Sequence, residues 1–355
     1  MNATVATPAT TATGAVSAKG RQLAMVIDLN KCLGCQTCTI ACKKLWNRDA
    51  GTAYAYWNSV ETQPGQGYPR RWQETGGRTA TGDVKRGEIP DLDSDYGRAW
   101  KFNHHKVRDG MGGGPDKPWL RPDVEPKWGP NWDEDHGGGE YPATNHYFYL
   151  PRLCNHCTHP ACLDACPRHA ITKRGEDGIV LVDQDRCHGY RFCVEACPYK
   201  KVFFDTERGV STKCIFCLPR IQEGVAPACA RQCPGRLRFV GFLDDPAGPI
   251  HKLVEQWKVA IPLHPEFGLG PNVFYVPPVG PIAFDAEGRL TGDEPRIPSA
   301  LLEELFGPRV HEALGVLHGE RAKKKRGEAS ELMDLLIAYD WNGNFRLPER
   351  AREVL

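Results

Sequence analysis

Lys31-Cys32-Leu33-Gly34-Cys35-Gln36-Thr37-Cys38-Thr39-Ile40-Ala41-Cys42 carries four cysteines spaced C-x2-C-x2-C-x3-C. Three further blocks follow: Cys154-x2-Cys157-x4-Cys162-x3-Cys166-Pro167, Cys187-x5-Cys193-x3-Cys197-Pro198, and Cys214-x2-Cys217-x11-Cys229-x3-Cys233-Pro234. Together they use all 15 cysteines of the 355 residues. The third block is one donor short, and Tyr190 stands at the missing position.

The first spacing is that of bacterial ferredoxins, in which three thiolates on one loop wrap an iron–sulfur cube and the fourth serves the neighbouring cluster. Proline after the last cysteine suits the first turn of a helix. Backbone N–H groups in such loops face the anionic cluster. Zinc knuckles take two C-x2-C pairs, or one pair and histidines, and have no use for C-x3-C-Pro. An odd count in ligand spacing argues against disulfides, and the absence of C-x-x-C-H argues against covalent haem. His156, His159 and His188 beside the cysteines read as loop polar contacts, not ligands.

An internal repeat fixes the register. Val26-Ile27-Asp28-Leu29-Asn30-Lys31-Cys32 parallels Leu181-Val182-Asp183-Gln184-Asp185-Arg186-Cys187, each an apolar strand, an aspartate, a turn, a base and a cysteine. Gly34 then matches Gly189, Cys38 matches Cys193, Cys42 matches Cys197, and Cys35 matches Tyr190. The second and fourth blocks also resemble each other. Self-similarity of this kind points to two ferredoxin-like units, each able to carry two clusters. Blocks pair either as first with second and third with fourth, or as first with fourth around second with third. The closeness of the second and third blocks in sequence favours the nested arrangement. A centre with three thiolates can lose an iron and become [3Fe–4S]; the alternative is a four-iron cluster with an oxygen ligand, and thiolate is the softer partner for iron.

The expected fold class is α+β, with two ferredoxin-like units, long irregular insertions and an extended C-terminal tail. The expected organisation is a disordered tail over 1–20, unit A over 21–50 plus 208–245, a partner-facing irregular insertion over 51–145, unit B over 146–207, and a tail over 246–355 that packs on partner subunits. Arg238 to Leu243 reads as a closing strand and Ile250 to Val259 as a short helix. Ser299 reads as the N-cap of a helix from Ala300 to Phe306 with Glu303 at capping-box range. A further helix spans Ser330 to Tyr339. The thin aliphatic packing around the cysteines assigns much of the cohesion there to the clusters.

Net charge of +1 selects neither nucleic acid nor membrane. Lys323-Lys324-Lys325-Arg326 reads as a solvated helix face. No apolar run reaches the roughly 18 residues of a membrane helix. Residues 1–20 lack the basic start of a secretory signal. The acidic run Asp133-Glu134-Asp135-His136, between glycines and tryptophans, reads as a loop and not as a metal site. Gly110-Met111-Gly112 lacks the third glycine of a dinucleotide fingerprint, and there is no P-loop, HExxH or nucleophile elbow. The chain therefore reads as a non-catalytic wire for single electrons.

Lys31 to Cys38, Cys154-Asn155-His156-Cys157, Cys193-Val194-Glu195-Ala196-Cys197-Pro198-Tyr199-Lys200-Lys201 and Lys213-Cys214-Ile215-Phe216-Cys217 resemble the iron–sulfur beta subunits of dimethyl sulfoxide reductase superfamily molybdenum oxidoreductases. The look is that of the ethylbenzene dehydrogenase, dimethyl sulfide dehydrogenase, selenate, chlorate and perchlorate reductase types; nitrate reductase beta subunits share the motifs but are longer. The likeness is strong over 21–245 and continues in Ile261 to Pro278. It supports the nested pairing, which gives [4Fe–4S] cluster one to Cys32, Cys35, Cys38 and Cys233. Cluster two goes to Cys42, Cys214, Cys217 and Cys229, and cluster three to Cys154, Cys157, Cys162 and Cys197. Cluster four, [3Fe–4S], keeps Cys166, Cys187 and Cys193; in nitrate reductases a tryptophan fills the Tyr190 position and that cluster is three-iron. The resemblance implies a catalytic alpha subunit with molybdenum bis-pterin facing cluster one, and a gamma subunit with haem b facing cluster four. It also implies a periplasmic complex co-exported with alpha, against a cytoplasmic one. The competing readings are a nitrate reductase-type beta subunit, a free-standing polyferredoxin and a zinc-stabilised scaffold.

Overall fold

The computed structural model describes residues 21–345 apart from position 75 and the stretches 98–101, 111–118, 123–136, 141–143, 281, 285–288 and 342. The 1–20 tail, Met111 and Gly112 of the incomplete fingerprint, and Asp133–His136 lie outside the described residues. Among the described residues no helix is long and apolar enough to cross a membrane.

A four-stranded sheet divides two cores. Its strand order is Arg238–Phe242, Leu23–Asp28, Val273–Val276, Ile261–Pro262. Leu23–Asp28 is buried along its whole length, as an apolar strand covered on both faces must be. Alternation of side chains across the sheet sends Leu23, Met25, Ile27, Val273 and Tyr275 toward the cysteines. Ala24, Val26, Phe274 and Val276 face the opposite side. There Ile250 and Leu253 join Leu317, Leu332 and Leu336 in a core free of cysteines.

That second core shows how much of the described part of residues 246–355 packs on its own chain. The segment supplies two strands of the sheet, and Val273–Val276 runs parallel to Leu23–Asp28 with Met25 opposite Val273. Pro262 is tolerated because it sits on the edge strand, opposite Phe274, and Pro277 follows the end of Val273–Val276, so the described apolar runs of the segment bury themselves in their own chain. The helix Val310–Lys325, not anticipated from periodicity, buries only Val310, Ala313, Leu317 and Glu320, too sparse a stripe to read. The basic run does end this helix, where cations oppose the carbonyl dipoles. Ser299 is not a cap: the helix Ser299–Phe306 follows Pro298 with no side-chain cap bond, and Glu303 instead accepts from His311 Nε2 at 3.0 Å. Ser330 does cap Glu331–Ile337, accepting from Met333 N at 3.2 Å. The expected 250–259 helix is a short α-turn, Pro249–His251, running into a π-helical turn, Lys252–Gln256.

The early part of the 51–145 stretch also departs from expectation. Ser59–Gln63 is a buried strand, antiparallel to Phe148–Arg152. Its residues are mostly polar, so no apolar alternation marks it. Burial is possible because key polar groups are met: Glu61 accepts from Arg152 Nε at 2.8 Å on both oxygens, and Ser59 Oγ accepts from Lys201 at 2.7 Å. Arg152 also donates to the carbonyls of Tyr199 and Tyr68 and lies 3.6 Å above the Trp72 ring centre.

Candidate metal-cluster sites

Short helices that begin at or near the cysteine loops place the donors. Thr37–Trp46 packs on Ala228–Arg231, and Ala161–Asp164 packs on Phe192–Ala196. The first block thus meets the fourth, and the second meets the third. Cys38 and Cys42 lie on one helix; in the other three blocks the first cysteine of C-x3-C lies on a short helix and the second just past its end, so Pro167, Pro198 and Pro234 follow helices and do not open them as the sequence suggested. In the first and fourth blocks the two thiols of the pair line different spaces.

Three small chambers lie along this assembly. Cys32, Cys35, Cys38 and Cys233 line the first. Cys42, Cys214, Cys217 and Cys229 line the second. Cys154, Cys157, Cys162 and Cys197 line the third. Four thiols in each suit one kind of guest. Cys187 and Cys193 gather separately about Ser211, whose N–H donates to Cys187 Sγ and whose Oγ accepts from Cys193 Sγ, each at 3.3 Å. Cys193 also feels the charges of Cys187 and Cys166.

The spaces are arranged as a row. Cys38 and Cys42 of one helix line the first and the second. The consecutive Leu153 and Cys154 line the second and the third. Cys162 and Cys197 of the third chamber share a buried cluster with Cys166 and Cys193 of the last group.

Burial sets the thiol chemistry. It pushes Cys32 and Cys229 up to about 12 and Cys193 up to about 11. Cys42, Cys157, Cys162 and Cys214 are also raised by burial. Free thiolates are therefore disfavoured here, and the cysteines become thiolates only against a metal's positive charge, with release of protons. Hydrogen-bond donors aimed at sulfur suit that state. Trp46 Nε1 donates to Cys217 Sγ at 3.0 Å and Asn58 Nδ2 to Cys38 Sγ at 3.2 Å. The backbone N–H of Phe216 reaches Cys214 Sγ at 3.3 Å, and that of Ala170 reaches Cys166 Sγ at 3.4 Å. Among the described residues no three Cys, His, Asp or Glu side chains close on a single-ion centre. The thiols ring a space instead, whereas a tetrahedral zinc ion needs donors at about 2.0–2.3 Å from one point. The donor set fits iron–sulfur clusters.

The loops at the two repeat positions have one backbone geometry. Gly34 and Gln36 flank Cys35 with φ of 65° and 56°; Gly189 and Arg191 flank Tyr190 with φ of 68° and 63°. Gly34 cannot be replaced, because a Cβ there would lie 2.6 Å from the Tyr149 ring. Asp28 Oδ1 accepts from Asn30 N at 3.1 Å, and Asp183 Oδ1 accepts from Asp185 N at 3.0 Å, so both loops open on the same aspartate turn. The Tyr190 side chain does not enter the core: it is 53% exposed and stacks on Phe192. His156 accepts from Val180 N through Nδ1 at 3.0 Å, a loop contact as expected.

Sequence reasoning missed the polar groups around the chambers. Asn58, Trp46, Lys201 and Arg238 all line them. Lys200-Lys201 and Arg236-Leu237-Arg238 follow the Cys-Pro pairs closely, and that recurrence of bases was the available signal.

Residues 145–243 match the family model for a 4Fe-4S dicluster domain. The chain is 56% identical to the selenate reductase subunit beta of Thauera selenatis, over 90% of this chain and 97% of that one. It is 56% identical to the dimethylsulfide dehydrogenase subunit beta of Rhodovulum sulfidophilum, over 92% and 99%. It is 58% identical to the respiratory nitrate reductase subunit beta of Haloferax mediterranei, over 92% and 93%. That coverage corrects one expectation, because greater length does not set this nitrate reductase subunit apart. The chain belongs to the family of iron–sulfur beta subunits, the electron-transfer subunits of dimethyl sulfoxide reductase superfamily molybdenum oxidoreductases.

Proposed function

We propose that the chain holds three [4Fe–4S] clusters and one [3Fe–4S] cluster in a row, and relays electrons between a molybdenum alpha subunit and a haem b gamma subunit. The observation that carries this reading is the lining of the chambers: four cysteines in each of three, drawn from two blocks every time. When bound, the clusters supply one-electron sites. The protein's part is to hold them in line, exclude water and set their potentials through charge and hydrogen bonds. The matching loop geometry at Cys35 and Tyr190 supports two related units and a missing fourth ligand at the last site.

Both ends of the row have exposed features suited to partners. Beside the first chamber, Cys35 is exposed, with Leu33, Ile40 and Leu45 as exposed apolar neighbours. A free-standing carrier has no use for such a patch, and we assign it to the alpha subunit. At the far end Tyr190 is exposed, and we assign that end to gamma. The relatives' names include selenate, dimethylsulfide and nitrate enzymes, so the substrate is set by alpha. We extend the reading to a periplasmic complex, which cell fractionation tests. Iron and acid-labile sulfide analysis of the purified complex should assign about 15 iron atoms to this chain, with a three-iron electron paramagnetic resonance (EPR) signal on oxidation. Zinc without sulfide, or no three-iron signal in the oxidised protein, overturns the reading.

A further inference from the structure

Arg238 is a buried cation with an unusual set of partners. It is 1% exposed, and among the described residues no carboxylate pairs with it. One terminal nitrogen, Nη2, donates to Asn58 Oδ1 at 2.7 Å and to Cys38 Sγ at 3.5 Å. Nη1 reaches Met25 Sδ at 3.5 Å, and Nε is buried with no acceptor. A guanidinium is always charged, and an uncompensated buried charge is costly. Arg238 lines the first chamber with Cys32, Cys38 and Cys233, and two of its partners, Met25 and Asn58, line the second. Asn58 ties the two spaces together: it lines the second chamber, and its amide donates to Cys38 of the first.

We propose that Arg238 is a positioning residue, a fixed counter-cation shared by the first and second clusters that raises the reduction potential of both. The inference rests on the reading that these chambers hold clusters. Reduction adds one negative charge to a cluster, and a cation held beside it at low dielectric favours the reduced form. One guanidinium set against thiolates of two clusters acts on both at once. The last two centres lack this contact, so the effect is confined to one half of the row.

The test is a potentiometric EPR titration of the intact complex carrying R238M, R238Q or R238K. Iron and sulfide analysis of the unaltered complex comes first; absence of the clusters there sinks the cluster reading itself, and not only this inference. With clusters present, R238M and R238Q should weaken reduction of clusters one and two at least tenfold, which is 59 mV for one electron. Clusters three and four should not move, and R238K should stay within tenfold of the unaltered protein. Should the neutral variants fail to assemble, N58D is read against N58L, which also loses the hydrogen bond to Cys38 but adds no charge. An aspartate there pairs with Arg238 and cancels its field, so both clusters should fall together in N58D, at least tenfold below N58L; equal potentials in the two variants overturn the proposal. Unmoved potentials, a shift of cluster one alone, or an equal shift of all four centres overturns the proposal.

Discussion

Replacing Tyr190 by cysteine should convert the last centre to a four-iron cluster. The backbone is already shaped for it, since φ at 189 and 191 matches φ at 34 and 36 within a few degrees, and Cys35 sits between the latter pair. The tyrosine is 53% exposed and takes no part in the core, so its removal should cost no more than roughly 0.5 kcal/mol of stability. The expected change is therefore chemical: about one more iron per chain, from about 15 to about 16. The assay is iron analysis of the purified complex with EPR of the oxidised state. The three-iron signal should vanish and a new four-iron signal should appear on reduction, at a lower potential. Unchanged iron content, a persisting three-iron signal and a freely alkylated thiol at position 190 would refute the argument that this position is a vacated ligand site.

Breaking the buried Arg152–Glu61 pair with R152M strands a carboxylate in the interior and should cost about 3–5 kcal/mol, read as a lower melting temperature; an unchanged melt would show that the pair is dispensable. L332A, in the core behind the sheet, should cost about 2–5 kcal/mol even without partner subunits, whereas no effect until partners are added would return the C-terminal segment to them. Burial holds His264 below its ordinary value. Its Nδ1 donates to Glu266 Oε1 at 2.7 Å while Nε2 is buried without a partner. The folded state thus binds fewer protons than the unfolded one below about pH 6.5. Stability should fall as pH drops below that value, and H264Q should flatten the difference in melting temperature between about pH 7 and pH 5; identical slopes in both proteins would remove His264 from the account.

The cluster-bearing half of the fold was legible because ligand spacing is a local code. Cysteines 32 to 42 state their loop and helix within one stretch, and the Cys35–Tyr190 mismatch follows from register alone. The strands after residue 246 were not legible because their partners are distant: Val273–Val276 becomes a strand only beside Leu23–Asp28, nearly 250 positions earlier. Ser59–Gln63 was unreadable for another reason. A polar strand can be buried only when specific ions and hydroxyls meet it, and Arg152 and Lys201 are supplied by other segments.

Charge is where sequence and structure part most instructively. The formal +1 counts each cysteine as neutral, yet a loaded cluster with its thiolates is a net anion. Near-neutrality of the bare chain therefore says little about the loaded one. What the structure adds is where the cations went. Lys200, Lys201, Lys213 and Arg238 are all buried. Lys200 and Lys213 donate to backbone carbonyls, Lys201 to the Ser59 hydroxyl, and Arg238 to Asn58. Placing ammonium and guanidinium groups in an interior without carboxylates bonded to them is costly unless another anion is present. Burial alone drives Lys201 well toward its neutral form, so bases in this setting suit an anionic guest that keeps them charged. Removing the clusters should then do more than empty the chambers, because it leaves these cations without their counter-charge. The apoprotein should fail to melt cooperatively, and a native-like transition after iron removal would show that the interior tolerates its own charge.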